Sequence, residues 1–310
     1  MDVFSMNKAY CIGILFLIIG FFSSCSFTEA SGTAFSEPSQ LKFRKVQELY
    51  DFLTYSERRF PLVSAHRGGP EPGYPENAIE TFEHSASKQP LIIECDVALS
   101  EDSILVMMHD DRLERTTSGR GLVQQKTLRA LKQLYLKDNE GKLTHYRIPT
   151  LDEVLAWAKD KVILTLDVKK GVPFDLVIAA IRRQAAEAYS IVITYNATQA
   201  LEVYRLAPDL MISVNVRQMD DLIRLNDYGI PDNRLIAFVG VREPDTALYQ
   251  HLHRHGIMCI LGTIGSLDKR AAARGDSLYK QWIDKGADIL ATDRPMAAGL
   301  QLARYRQAHR

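Results

Sequence analysis

Short apolar runs alternate with helix-periodic segments along most of the chain. Runs of strand length are predicted at 62–66, 91–97, 104–109, 162–168, 190–196, 211–217, 235–241, 258–264 and 288–293. Runs that are apolar at nearly every position are typical of strands buried on both faces, as in a parallel sheet. Amphipathic helices are predicted between most of them, at 77–88, 150–160, 173–189, 197–207, 220–229, 245–256 and 277–287.

This alternation predicts an α/β fold, a (β/α)8 TIM-type barrel, with a doubly wound open sheet as the alternative. The pattern is irregular between the second and third strands, because only "ALSED" joins the runs 91–97 and 104–109. Nine predicted strands are also one more than a barrel of eight needs. Residues 111–148 form a longer polar excursion before the strand pattern resumes.

The N-terminus has a different character from the rest of the chain. Lys8 precedes an apolar stretch at 9–22, and "FFSSCS" follows with Cys25 after two serines. The pattern is that of a bacterial lipoprotein signal at 1–24, with lipidation of Cys25, a tether at 25–45 and the main domain at 46–310. A secretory signal cut near "TEA" and an uncleaved anchor are the alternatives. We therefore expect a bacterial cell-envelope protein that faces the periplasm or the cell surface and contacts the membrane through its lipid.

Composition and cysteine content narrow the function classes. The formal net charge is zero, with 38 basic and 38 acidic residues, so no basic surface indicates a nucleic-acid partner. Cys95 and Cys259 lie in apolar strand-like runs, and no C-x-x-C spacing suggests a zinc site. We expect two buried free thiols there, and a disulfide between them is the alternative.

Charged side chains occur where several predicted strands end, which is where a barrel of this type places its active site. Glu94 and Asp96 are separated by two positions and so face the same side of one strand. Asp167 and Lys169 repeat that spacing on a later strand. Carboxylates on one face repel each other and favour a hard divalent cation, Ca²⁺ or Mg²⁺. Structural salt bridges with Arg67 or Lys169 are the alternative.

Two histidines end early strands and are candidates for proton transfer. His66 and His109 each stand beside a charged residue, and histidine exchanges protons near neutral pH. Arg67 and Lys169 provide fixed positive charge suited to a phosphate. The other histidines are predicted to be surface residues, at positions 84, 145, 251, 253, 255 and 309.

Six short motifs resemble those of the glycerophosphodiester phosphodiesterases, a family of the phospholipase C-like barrel superfamily. They are "AHRG" (65–68), "PEN" (75–77), "ECD" (94–96), "MHDDRLERTTSGRG" (108–121), "LDVK" (166–169) and "ATDRP" (291–295). The resemblance implies a TIM-type barrel that lacks one helix. It also implies metal-dependent hydrolysis of a glycerophosphodiester to glycerol 3-phosphate and an alcohol.

The resemblance assigns roles to individual positions. It implies that His66 and His109 are an acid–base pair and that Arg67 and Lys169 contact the phosphate. It also implies that Glu94, Asp96 and Asp167 bind the metal. In "PEN", it places Asn77 near the phosphate or metal and makes Glu76 a supporting residue. Asp167 stands where the family usually has Glu, Tyr195 where many members have a Ser-Phe pair, and 260–265 lacks the usual aromatic residue.

Other functions remain open at this point. One is a different enzyme of the superfamily, either a lysophospholipase D or a phosphoinositide-type phospholipase C. "TTSGRG" and "ATDRP" argue against the second of these. Another is a non-catalytic surface binding module on a barrel scaffold.

Overall fold

The computed structural model describes residues 40–309 and contains a closed barrel of parallel strands. The strands are β1 (Leu62–Ala65), β2 (Leu91–Leu99), β3 (Leu105–Met107), β4 (Tyr135–Lys137), β5 (Leu143–Arg147), β6 (Ile163–Val168), β7 (Ser190–Thr194), β8 (Met211–Asn215), β9 (Leu235–Phe238), β10 (Cys259–Gly262) and β11 (Ile289–Thr292). In the barrel, β1 pairs in parallel with β2 on one side and β11 on the other. The predicted barrel is confirmed, and the open-sheet alternative is wrong.

Helices surround the barrel and cover the outward faces of its strands. They are α1 (Val46–Leu53), α2 (Ile79–Ala86), α3 (Leu128–Leu131), α4 (Leu151–Ala158), α5 (Phe174–Arg183), α6 (Ala197–Leu206), α7 (Met219–Asp227), α8 (Thr246–Arg254), α9 (Ser266–Arg274), α10 (Ser277–Asp284) and α11 (Pro295–Ala308). Thr150 and Glu153 form a capping box that starts α4, the helix leading into β6. No helix within residues 40–309 is both long and apolar enough to cross a bilayer.

The surplus predicted strand is β3, which pairs antiparallel with β2 and so lies outside the parallel ring. After it, residues 111–148 form a small subdomain that contains the β4–β5 hairpin and α3. This excursion is less polar than the sequence suggests, because Leu113, Val123 and Leu131 lie in an apolar cluster that it shares with Ala98 of β2 and Val106 of β3. The predicted irregularity at "ALSED" is the turn between β2 and this antiparallel strand.

Inward-facing side chains fill the barrel in layers. The lowest layer is aliphatic and is covered by α1; it consists of Leu62, Ile92, Ile163, Ile191, Met211, Ile236, Met258 and Ile289. Two residues further along the strands, smaller or polar side chains such as Ser64, Thr165 and Ser213 face inward. Because these side chains are small, they leave a cavity between the aliphatic layer and the mouth.

At the closed end, one buried carboxylate connects three elements. Asp288 accepts hydrogen bonds from Arg59, from His253 Nε2 at 2.9 Å and from the Cys259 N–H at 2.7 Å. The His253 ring stacks on Tyr55, and its side chain is only 12% exposed. The prediction that His253 is a surface residue is therefore wrong.

The described chain begins within the predicted tether. Leu41 is buried and Phe43 packs against the core, so these residues belong with the barrel. Cys95 and Cys259 are buried free thiols, as expected. Cys25 and the predicted signal at 1–24 lie outside the described residues.

Candidate active site

Three carboxylates from adjacent strands converge at the mouth of the barrel. Glu94 and Asp96 project inward from β2, and the parallel register places Asp96 opposite Asp167 of β6. One oxygen of each residue lies within 4.8 Å of the others. Asp96 is 1% exposed and Asp167 is 7% exposed. Three acidic groups this close and this shielded from water repel each other strongly.

Positive charge near the triad is limited. Lys169 Nζ lies 2.7 Å from Asp96 Oδ1 and 2.8 Å from Asp167 Oδ2, so the predicted alternative of salt bridges does describe this contact. Arg67 Nε is 3.6 Å from Asp96 Oδ2. Asn77 makes two hydrogen bonds with Asp96. Its Nδ2 donates to Asp96 Oδ2 at 2.7 Å, and its Oδ1 accepts from the Asp96 N–H at 2.9 Å. Asn77 thus orients a carboxylate of the triad.

The protonation of the triad reflects its excess negative charge. Burial and the neighbouring Asp96 raise the pKa of Glu94 to about 8, although the Arg67 N–H donates to Glu94 Oε2 at 2.7 Å. Burial alone would raise the pKa of Asp96, but the Lys169 ammonium and the Asn77 amide lower it. A site that favours a proton on Glu94 also favours binding of a cation, because either one offsets the excess negative charge. Clustered oxygen donors with this charge fit Ca²⁺ or Mg²⁺.

His66 lies in a tight turn directly after β1. Arg67 has φ of 52° and Gly68 of 86°, and a Cβ on Gly68 would lie 2.3 Å from the Phe82 ring. The turn therefore requires glycine after "HR". His66 Nδ1 is 2.7 Å from Asp293 Oδ1. Burial by itself lowers the pKa of His66, but the Asp293 hydrogen bond and the Glu94 charge raise it overall.

His109 has a carboxylate partner of the same kind. Its Nδ1 lies 2.6 Å from Asp110 Oδ1, and Arg115 contacts both oxygens of Asp110. The Arg115 hydrogen bond is the main reason that the pKa of Asp110 is lowered. Arg115 also binds both oxygens of Glu76, at 2.7 and 2.8 Å, and Glu76 in turn accepts from Arg67. This chain of contacts links the two histidine-bearing loops.

A buried carboxylate stands behind the His66 partner. Asp268 is 4% exposed and accepts from Tyr279 Oη, Thr292 Oγ1 and the Asp293 N–H, each at 2.8 Å. These bonds hold the turn that follows β11. Asp268 therefore fixes the position from which Asp293 reaches His66.

A cavity of about 200 Å³ opens beside the triad and extends into the barrel. The Tyr195 hydroxyl donates to Asp167 Oδ1 at 2.8 Å, so this tyrosine contacts the triad. The Phe238 ring lies over Gly262, where a Cβ would be 2.8 Å from Cζ. An aromatic ring from β9 thus lines the cavity beside the 260–265 segment, which has none.

The structure gathers every candidate residue of the barrel at this mouth, namely His66, Arg67, Glu76, Asn77, Glu94, Asp96, His109, Asp167 and Lys169. Asp110, Arg115 and Asp293 lie within two of the quoted motifs, 108–121 and 291–295, but sequence reasoning gave them no role and did not pair the two aspartates with the histidines. Asp268 was missed, because it lies in no motif and acts through Asp293, which is 25 residues away in the chain.

The chain is similar to known proteins in sequence and in fold. The glycerophosphoryl diester phosphodiesterase family profile matches residues 66–228, which is more than half of the chain. A crystal structure of such an enzyme from Parabacteroides distasonis is similar with a TM-score of 0.79 at 36% identity, covering 86% of this chain and 94% of that one. An Oleispira antarctica phosphodiesterase, solved in complex with the product sn-glycerol-3-phosphate, has the same fold, with a TM-score of 0.64 at 24% identity over 83% of this chain and 99% of that one.

The sequence relatives give a partial overlap. A glycerophosphodiester phosphodiesterase from Caldanaerobacter subterraneus is 34% identical over 160 residues, which are 49% of this chain and 65% of that protein. The aligned part is thus slightly less than two thirds of that relative. The profile match and the near-complete coverage of the Parabacteroides structure carry the assignment: this chain belongs to the glycerophosphoryl diester phosphodiesterase family.

Proposed function

We propose that the protein is a metal-dependent phosphodiesterase that hydrolyses glycerophosphodiesters to glycerol 3-phosphate and an alcohol. The observation that carries the proposal is the convergence of two histidine–carboxylate pairs on one triad of acidic side chains. The triad is Glu94, Asp96 and Asp167. Family membership supports the same reaction class.

His66 and His109 are proposed as the acid–base pair. Asp293 and Asp110 each lie against Nδ1 of their histidine, which leaves Nε2 of both rings for the substrate. One ring removes the proton from the attacking hydroxyl. Attack by water gives glycerol 3-phosphate directly, whereas attack by the neighbouring glycerol hydroxyl gives a cyclic phosphate that a water molecule then opens to glycerol 3-phosphate. The other ring protonates the alcohol oxygen as it leaves phosphorus.

Arg67 and Lys169 are proposed to bind the phosphate. Arg67 Nε is buried and has no hydrogen-bond partner among residues 40–309. Lys169 uses contacts to Asp96 and Asp167, and an ammonium has three donors, so one donor is left for a phosphate oxygen. Both side chains then oppose the negative charge that makes a phosphodiester resistant to attack.

Glu94, Asp96 and Asp167 are proposed to hold the divalent cation, Ca²⁺ or Mg²⁺. When bound, such a cation withdraws charge from phosphate oxygens and acidifies a nearby hydroxyl. Asn77 keeps Asp96 in place, and Tyr195 does the same for Asp167. Glu76 supports the site by orienting Arg67 and Arg115.

The glycerol end of the substrate is proposed to enter the cavity. Its walls combine hydroxyls of Ser64, Thr165 and Ser213 with the apolar surfaces of Phe238 and Ile260, which suits a short polyol. The aliphatic layer below leaves no passage for an acyl chain. This closed floor favours a glycerophosphodiester over a lysophospholipid.

The test is a panel of glycerophosphocholine, glycerophosphoethanolamine, lysophosphatidylcholine and phosphatidylinositol with Ca²⁺, Mg²⁺ or EDTA. Glycerol 3-phosphate, free choline and inositol phosphate are the measured products. We expect metal-dependent release from the glycerophosphodiesters. His66→Ala and His109→Ala should each lose about 10²–10⁴-fold in kcat. His145→Ala, at an exposed position on β5, is the matched control.

Each other outcome identifies a different function. Wild-type turnover by either histidine variant contradicts the acid–base assignment, and full activity in EDTA contradicts metal dependence. Preferential choline release from lysophosphatidylcholine indicates a lysophospholipase D, and inositol phosphate release from phosphatidylinositol indicates a phospholipase C. Phosphate binding without turnover of any diester indicates a binding module.

The cellular location is also a proposal, and it rests on the sequence of the first 25 residues. We expect cleavage before Cys25, lipidation of that cysteine and attachment of the barrel to a bacterial envelope membrane on its periplasmic or outer side. Labelling with a radioactive fatty acid and membrane fractionation test this. Cys25→Ala should abolish the label, and label retained by the variant would overturn the assignment.

A further inference from the structure

Two histidines of α8 and its C-terminal end form a pair that the proposed reaction does not use. His251 and His255 are one helical turn apart, and their ring centroids are 4.9 Å apart. Histidines at positions i and i+4 project from one face of a helix, where both rings can reach a single ion. His253 lies between them in sequence, but Asp288 holds it at the closed end of the barrel.

A carboxylate orients one member of the pair. His255 Nδ1 lies 2.7 Å from Asp232 Oδ2, and Asp232 Oδ1 accepts from Asn226 Nδ2 at 2.8 Å. A carboxylate only accepts, so Nδ1 carries the proton and Nε2 of His255 keeps its lone pair. A carboxylate on the second nitrogen of a histidine, itself held by another donor, is the usual surrounding of a metal ligand.

The other member has an unsatisfied nitrogen. His251 Nε2 is shielded from water and has no hydrogen-bond partner among the described residues. Buried polar atoms without partners are uncommon, and binding of an ion is one of the recognised explanations. The pair therefore combines one oriented imidazole with one that lacks a partner.

We propose that His251 and His255 form a second metal site for a borderline or soft divalent ion such as Zn²⁺ or Cu²⁺. Imidazole suits these ions, whereas the all-oxygen triad at the barrel mouth suits Ca²⁺ or Mg²⁺. The hydrogen bond between His255 and Asp232 links this site on α8 to the segment after α7. The site is independent of the proposed function, since it shares no residue with the triad.

Titration of the untagged protein with Cu²⁺ and Zn²⁺ in saturating Mg²⁺ tests the proposal. We expect one equivalent of Cu²⁺ with nitrogen hyperfine splitting in its electron paramagnetic resonance spectrum. His251→Ala and His255→Ala should each lose this equivalent. Asp232→Asn should bind about 10–100-fold more weakly, as expected when a partner of a metal-bound histidine is removed.

Two controls separate this site from others. Glu94→Gln should keep the nitrogen-bound equivalent, because it changes only the triad, and His145→Ala should keep it as well. If His255→Ala fails to fold, His251→Ala decides the question, since His251 Nε2 has no bond to lose. Wild-type affinity and splitting in His251→Ala would overturn the proposal.

Discussion

The two ends of the barrel each contain a buried cluster of ionisable side chains, and the clusters differ in how charge is balanced. At the closed end, a single carboxylate, Asp288, contacts Arg59 and His253. At the mouth, Asp96 and Asp167 share the Lys169 ammonium, Glu94 accepts from the Arg67 N–H, and the pKa of Glu94 rises to about 8. A balanced cluster connects elements of the fold, whereas excess negative charge favours binding of a cation.

Proximity of ligand atoms alone does not distinguish the clusters. His253, Cys259 and Asp288 also place ligand atoms within 4.8 Å of one another. However, Arg59 already neutralises Asp288, and burial raises the pKa of the Cys259 thiol, which disfavours a thiolate ligand. Uncompensated charge, rather than the proximity of ligand atoms, therefore distinguishes the candidate metal site.

Asp288→Asn should give the largest effect and act on stability. The substitution leaves the Arg59 guanidinium without its buried counter-charge and weakens the hydrogen bond to His253, so the free energy of unfolding should fall by about 3–5 kcal/mol. Urea unfolding measures it. The folded fraction should keep its kcat, because Asp288 lies at the opposite end from the mouth. Asp284→Asn, which removes a surface ion pair with Lys280, should change stability by less than about 0.5 kcal/mol.

Glu94→Gln should lower kcat without lowering stability, which is the reverse of the effect expected for Asp288→Asn. Loss of a cation ligand should lower kcat by about 100-fold, equivalent to about 2.7 kcal/mol of transition-state stabilisation. The free energy of unfolding in EDTA should stay equal or increase, because repulsion within the triad is relieved. Added Ca²⁺ or Mg²⁺ should raise the melting temperature of the wild type more than that of the variant. A Glu94→Gln variant that is destabilised but fully active would contradict the assignment of cation binding to the mouth.

Asp293→Asn should shift the pH dependence with a smaller loss of kcat than His66→Ala. Asp293 raises the pKa of His66, so its stabilisation of the charged ring is complete below the ordinary value of about 6.5 and disappears as pH rises through the raised value. In the variant, the limb of the pH profile that reports His66 should move to lower pH. An acidic limb that moves identifies His66 as the base, and an alkaline limb identifies it as the acid; an unshifted profile contradicts the pairing.

Gly262→Ala should have the smallest effect and act on substrate binding. The new methyl group would lie 2.8 Å from Phe238 Cζ, so the ring must move within the cavity. We expect KM to rise by about three- to tenfold, or about 1 kcal/mol, with little change in kcat. The double variant Gly262→Ala/Phe238→Leu should recover part of the loss, and simple additivity would argue against contact through the ring.

The barrel, and the position of the candidate residues at its mouth, could be predicted from sequence because both depend on local patterns. Continuous apolar runs identify buried strands, and the i, i+2 spacing places Glu94 and Asp96 on one face. The misassigned strand, β3, has the same apolar pattern as its neighbours. Its antiparallel direction depends on the turn at 100–104, where Ser103 has φ of 60°.

The partners of the reactive groups could not be predicted, because they depend on contacts between distant segments. Asp268 reaches His66 only through Asp293, and Phe238 covers a glycine on another strand. His253 alternates with two other histidines in "HLHRH", so local pattern does not reveal that it alone faces Asp288. These features depend on how strands and helices assemble, so no short stretch of the sequence reveals them.

Helix α1 and the aliphatic layer above it have a kinetic consequence. Because the cavity is closed beneath, the substrate and the product of the proposed reaction would use the same entrance. The phosphorylated product would have to leave before another substrate molecule enters, so it should compete with substrate for the free enzyme. If the proposed reaction is right, turnover should slow as glycerol 3-phosphate accumulates and recover when it is removed.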